Sequence, residues 1–369
     1  MYSIATHINK LKYIIKLIQN HHNMSYIPLP TPQIDQIASI KFSPLDDQLL
    51  LSSFDGSVLL YRCQTPGGQI VPKLMSKFHT DAAVTSSVFL PSRSTFVGLL
   101  DGTVRQIDFE NMKLTSPIDG DPKTTINDTS SISQALNHLA AVPGQDSLVV
   151  ASNYAGNLKY LDVRTHRPVF QHKTSKIFAL DTTARYVTLG QASQQVQIYD
   201  VRKWNLPCQT RTSGLKYQIT ALRNFPSGEG YVLSSLDGRV SVEYYDELPE
   251  VQQLKFAFKC HRHKDKLTGT DSVYPVTTLR FHKQTNTLLT GGADGHVCLW
   301  DWQRRKRTKQ FVAVDGAISH MDINHDESML VVGTTDDLYL RARDYNVDVD
   351  SKRSMVHLRR LEGREWTKR

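Results

Sequence analysis

Six basic side chains, Lys216, Arg239, Lys255, Lys259, Arg262 and Lys264, fall close together in one stretch of the chain. Arg239 directly follows an Asp237-Gly238 pair, and Lys259 is read as lying on the strand that opens the next repeat. A guanidinium forks onto the oxygens of a phosphate and an ammonium adds point charge. Arg and Lys brought together therefore suit a phosphorylated residue or an acidic peptide. Spacing alone only permits that convergence, and a solvated charged face has the same composition. A second run, "RRKRTK" at 304–309, is read as a loop with the charge for nuclear import or phosphate contact, or equally as a solvated surface. "KCHRHK" at 259–264 groups Cys260, His261 and His263. A metal would need a fourth ligand there, and strand alternation turns Cys260 and His261 to opposite faces, so no metal site is expected. No Gly-rich phosphate loop, HExxH pair or nucleophile elbow occurs. Ser, His and Asp fall at repeated positions suited to structural hydrogen bonds, and neither catalysis nor a cofactor is expected.

The elements that carry these residues repeat along the chain. A short apolar strand, an acidic-Gly turn and a third strand recur in "LLLSSFDGSVLLY" (49–61), "FVGLLDGTVRQID" (96–108), "YVLSSLDGRVSVEY" (231–244) and "LLTGGADGHVCLWD" (288–301). Weaker copies run over 148–162, 186–200 and 330–342. The second turn residue stands at 56, 102, 156, 194, 238, 295 and 337, so the repeats are 38 to 57 residues apart. Asp-Gly reaches positive φ easily and is the expected two-residue hairpin turn. Alternation of period two surrounds it, and a preceding strand such as "IASIKFSP" or "VTTLRFHK" completes each unit. Seven such units predict an all-β fold, a seven-bladed WD-repeat β-propeller over 31–345. The naming dipeptide survives only as Trp300-Asp301.

The chain has 369 residues, with 44 Lys plus Arg against 36 Asp plus Glu, a formal net charge of +8. Most of that excess sits at the ends: residues 1–34 contain three lysines and no acid, and residues 341–369 nine bases against five acids. The body between them is left near +1, which does not support a uniformly basic nucleic-acid-binding surface. No run of eighteen apolar residues occurs, as a membrane-spanning helix would require. Cys63, Cys208, Cys260 and Cys298 lie far apart without CxxC spacing, the pattern of a reducing compartment rather than a disulfide framework. Residues 1–30 are expected to be a basic extension separate from the propeller. Its Ile8, Leu11, Ile14, Ile15 and Ile18 share one helical face. This reads as a membrane-surface helix, an organelle presequence (lack of Arg argues against that), or an extension ahead of a start at Met24. At the other end, 346–369 is expected to supply a closing strand, "SMVHLRRL", and a basic tail.

Three segments carry a resemblance: "SGLKYQITALRNFPSGEGYVLSSLDGRVSVEYYD", "PEVQQLKFAFKCHRHK" and "YPVTTLRFHKQTNTLLTGGADGHVCLWD". Dense over 213–301 and collinear from about 34 to 340, the chain resembles the spindle-checkpoint WD-repeat family, the third of the budding-uninhibited-by-benzimidazole group. That family's relative, the nuclear-pore-associated WD-repeat family of messenger RNA export, shares "LDGRV" and "FKCHR" and stands as the alternative. "PEVQ" and "LKYQ" favour the checkpoint family. The resemblance implies a non-enzymatic adaptor of the nucleus and, in mitosis, the kinetochore. Such adaptors bind the acidic helical GLEBS motif of checkpoint kinases and their pseudokinase relatives, and phosphothreonine in the MELT repeats of a kinetochore scaffold. It implies recognition roles for Arg239 in "LDGRV" and Lys259 in "FAFKC", with Lys216 in "LKYQ" a looser match. Neither ubiquitin, membrane nor nucleic acid is indicated as a partner. Two departures stand out. Phe54 replaces the family's Trp in "SSWDGS", keeping an apolar contact without the indole donor. Thr220 replaces an Arg and removes one expected ion pair to the acidic motif.

Overall fold

A computed structural model describes residues 26–32, 34–118, 134–265, 267–335 and 354–366. The amphipathic segment around Ile8–Ile18, Met24 and the last turn copy around 337 lie outside the described residues. Within them are seven four-stranded antiparallel sheets and one two-stranded ribbon. The innermost strands are Ile37–Phe42, Val84–Phe89, Leu136–Val142, Ile177–Thr182, Ile219–Asn224, Val276–His282 and Ala317–Ile323. Each packs on the next and the last on the first, closing a ring of seven blades around a central channel. This is the predicted seven-bladed propeller.

The second strand of each blade is sandwiched between the neighbouring sheets. Leu49, Leu50 and Leu51 are therefore all buried although their side chains alternate between faces. The hairpin turns owe their form to glycine. Gly56 (φ 87°) and Gly238 (φ 63°) occupy the left-handed region. A Cβ on Gly56 would lie 2.7 Å from the Thr80 carbonyl oxygen, and one on Gly238 2.8 Å from that of Cys260. The close approach has a cause: each turn glycine accepts a hydrogen bond from the loop leaving the blade, Thr80 N to Gly56 O at 2.9 Å and Cys260 N to Gly238 O at 2.8 Å. Turns and outgoing loops thus share one face of the ring.

Three expectations need correction. Residues 26–30 belong to the ring and not to a separate extension. Ile27–Pro28 pairs with Met355–Arg360, with Ile27 opposite Leu358, and forms the outermost strand of the last blade. Strands from the two ends of the chain thereby cover an edge that would otherwise stand bare. Tyr61 ties in the next residues by donating its hydroxyl to Pro30 O at 3.0 Å. Lys259 does not open a blade. It ends Phe256–Lys259, the outer strand of the fifth, because strand pairing places it opposite Arg239. Finally, "RRKRTK" is only partly loop: Lys306–Gln310 is the outer strand of the sixth blade. Arg304 pairs with Asp301 at 3.8 Å, and Arg305 lies over the Phe256 ring at 4.1 Å.

Candidate functional site

The fifth blade brings most of the predicted cations to one place. Arg239 opens the strand Arg239–Tyr244 directly after the Asp237-Gly238 turn, and Lys259 sits opposite it across the ladder. The Asp237 carboxylate accepts a hydrogen bond from the Ser235 hydroxyl and holds Arg239 Nε at 2.9 Å. The remaining guanidinium donors of Arg239 have no partner among the described residues. Arg262, on the ribbon Arg262–Lys264/Asp271–Val273, donates its Nη2 to the Asp237 carbonyl at 2.9 Å, while its buried Nε has no hydrogen-bond partner. Lys216, Tyr217, Leu236, Asp237, Arg239 and Arg262, with Val273, line one depression of about 600 Å³. Lys216 and Lys259 are exposed. Three cations line the depression against one carboxylate, with Lys259 on the strand beside it, and make a positive notch that an anionic group can enter. Lys255 is not among them: it pairs with the buried Glu243 at 3.5 Å, toward the other end of the same sheet.

Phe54 lies elsewhere on the ring, at the first-blade turn, and makes no contact with this notch. A recurring backbone hydrogen bond explains its position. The residue ahead of each turn donates its N–H to the segment ahead of the inner strand: Phe54 to Gln36 O at 3.0 Å, Leu100 to Ala83 O at 2.9 Å, Tyr154 to Ala135 O at 3.1 Å, and Leu236 to Gln218 O at 3.2 Å. The same turn position in four blades therefore presents a large apolar side chain, each at least one-third exposed, on one face of the ring. Of these four, sequence reasoning singles out Phe54 alone, through the resemblance, while Leu100, Tyr154 and Leu236 occupy the same place ahead of their turns. The signal was present in "SSFDG", "GLLDG", "SNYAG" and "SSLDG".

Of the remaining positions, Thr220, His261 and Cys260 are held inside the structure. Thr220 lies on an inner strand, its hydroxyl bonded to Ser234 Oγ at 2.9 Å and to the Val276 carbonyl across the blade gap. His261 is held by two partners, with Nδ1 2.8 Å from Asp294 Oδ1 and Nε2 2.8 Å from Thr290 Oγ1. Trp300 Nε1 donates to the same hydroxyl at 2.9 Å. Loop, turn and two strands are thus locked together, and both His261 nitrogens are used. At His261 the backbone turns through φ 44°, so strand alternation does not apply. Cys260 packs in the core, and burial pushes its thiol well above the ordinary range. His263 stands exposed on the ribbon.

The profile of the WD domain, G-beta repeat family matches residues 259–301, the stretch that contains this lock. Three similar proteins span most of the chain. The mitotic checkpoint protein bub3 of Dictyostelium discoideum is 30% identical over 86% of this chain and 91% of its own length. The mitotic checkpoint protein bub-3 of Caenorhabditis elegans is 32% identical over 83% and 86%. The spindle assembly checkpoint protein bub3 of Schizosaccharomyces pombe is 32% identical over 81% and 88%.

Proposed function

Because this chain belongs to the Bub3 family of mitotic spindle-checkpoint WD-repeat proteins, we propose that it is a binding adaptor that reads two peptide signals on one face. The observation that carries this reading is the company the cations keep. The positive notch of Lys216, Arg239 and Arg262, with Lys259 beside it opposite Arg239, opens on the face that also bears Phe54, Leu100, Tyr154 and Leu236. Apolar side chains around a ring suit one side of an amphipathic helix, and cations at its rim suit acidic residues on that helix or a phosphate beside it. The acidic GLEBS helix of checkpoint kinases and their pseudokinase relatives is the proposed occupant of the ring. A phosphothreonine in a MELT repeat of the kinetochore scaffold is the proposed occupant of the notch. The adaptor would then act in the nucleus and at kinetochores in mitosis, by binding and not by catalysis.

Fluorescence titration with a MELT peptide, phosphorylated and unphosphorylated, tests the notch. The phosphorylated form is expected to bind at least tenfold more tightly, since a charge-assisted hydrogen bond contributes about 1.5–3 kcal/mol. Arg239→Ala should erase that difference. Equal binding of both forms to the unaltered chain would sink the proposal.

A further inference from the structure

The central channel holds a charged ring that the peptide face does not use. A matching position near the end of the inner strands lines it: Lys41 in "IASIKF", Asp181 in "IFALDT", Arg223 in "ITALRN", Arg280 in "VTTLRFH" and Asp322 in "AISHMDI". The other two blades place Val88 and Ala140 there. Three bases thus face two acids in a space of about 460 Å³.

Each oxygen of the two acids already accepts a hydrogen bond from another donor. Asp181 takes Arg223 Nη1 at 3.3 Å on one oxygen and the Asn224 N–H at 2.8 Å on the other. Asp322 takes Arg280 Nε at 2.7 Å on one oxygen and the Phe42 N–H at 2.8 Å on the other. Among the described residues, the Lys41 ammonium has neither a hydrogen bond nor an ion pair. Two histidines, His138 and His320, line the same channel, two residues ahead of Ala140 and Asp322. His320 has a buried Nδ1 without a partner. Burial and the neighbouring bases push both His138 and His320 down to about 4, so they add no charge at neutral pH. One unpaired cation, two guanidinium groups and an orphaned ring nitrogen are the parts of an anion site.

We propose that the channel binds one small inorganic oxyanion, of the sulfate and phosphate class, held by Lys41 with Arg223 and Arg280. The anion supplies the counter-charge that the ring lacks. Burial, followed by repulsion from Arg280 and Arg223, pushes the free Lys41 amine down to about 7. Binding therefore requires the amine to take up a proton above that pH.

Titration calorimetry of the full chain with sodium sulfate, at constant ionic strength, tests this. Sulfate keeps its charge between pH 6 and 9, so any pH dependence comes from the protein. One site is expected, with affinity falling about tenfold per pH unit above about 7. Buffers of different ionisation heat should report proton uptake on binding. Lys41→Met should weaken binding at pH 6 at least tenfold, and Lys41→Arg should bind equally at pH 6 and pH 9. A chain carrying Arg239→Ala and Lys259→Ala should bind sulfate normally, separating the channel from the phosphopeptide notch. No binding by the unaltered chain, unchanged affinity in a folded Lys41→Met variant, or a surviving pH slope in Lys41→Arg would each overturn the proposal.

Discussion

Single residues do two kinds of work in this ring. His261 is a fastener: its contacts with Asp294 and Thr290 join an outgoing loop to the next blade's turn and strand. His261→Ala leaves the Trp300 bond to Thr290 in place but strips Asp294 of a partner. Urea unfolding should show a loss of roughly 1–3 kcal/mol, the usual penalty for a buried polar group left unmet. Lys41 works against the fold. Its folded value of about 7 lies below the ordinary lysine value of about 10.4, so between these the unfolded chain binds more protons and stability rises with pH. Below pH 7 the penalty is complete. In sulfate-free buffer, Lys41→Met is therefore expected to raise the melting temperature most at pH 6, with the gain shrinking as pH approaches 10. Equal gains at both ends of that range would show that packing, and not charge, governs the site.

At the scale of elements, the hairpin turn sets both geometry and exposure. Gly56 and Gly67 both have positive φ, but only Gly56 faces a backbone carbonyl where a Cβ would go; Gly67 has nothing within 4 Å. Each alanine substitution carries the left-handed strain of about 1 kcal/mol, and Gly56→Ala adds a collision with Thr80. Denaturant midpoints should therefore fall clearly further for Gly56→Ala than for Gly67→Ala. The fourth blade turns at the corresponding place with two consecutive left-handed residues, Ser193 (φ 58°) and Gln194 (φ 57°), and without glycine, so its copy of the motif lacks the Asp-Gly signal. The closing strand Ile27–Pro28 is only two residues long, and no strand-length or alternation signal can reveal so short an element. Its outer-edge position in the last blade is a property of the closed ring.

For the whole molecule, closure turns a linear repeat into a surface. Leu100 and Leu236 are far apart in sequence and belong to different blades, yet the repeated turn bond puts them on one face. Leu236→Glu and Tyr154→Glu replace exposed side chains, so melting temperatures should hold. Binding of an acidic helical peptide should weaken about tenfold or more, from lost apolar contact and added like charge. Unchanged binding in both would remove the apolar ring from the proposed interface. Net charge also changes meaning at this scale. The formal +8 is carried mostly by the chain ends, while the charges with structural consequence are a few placed side chains: the notch at Arg239 and the ring at Lys41.

Blade number, the six turn positions within the described residues and the cation-bearing motif around Arg239 are legible in the residues. Period-two alternation and Asp-Gly turns are local properties, written afresh in each repeat. What the linear order could not reveal is everything that depends on which repeats meet. Linear order reads Lys259 as opening the next repeat, and only strand pairing sets it opposite Arg239. Lys41, Asp181, Arg223, Arg280 and Asp322 look like unrelated strand residues until the ring closes and turns all five into one channel. Electrostatic energy depends on distance and on the surrounding medium, and both come into being only when distant segments are folded together.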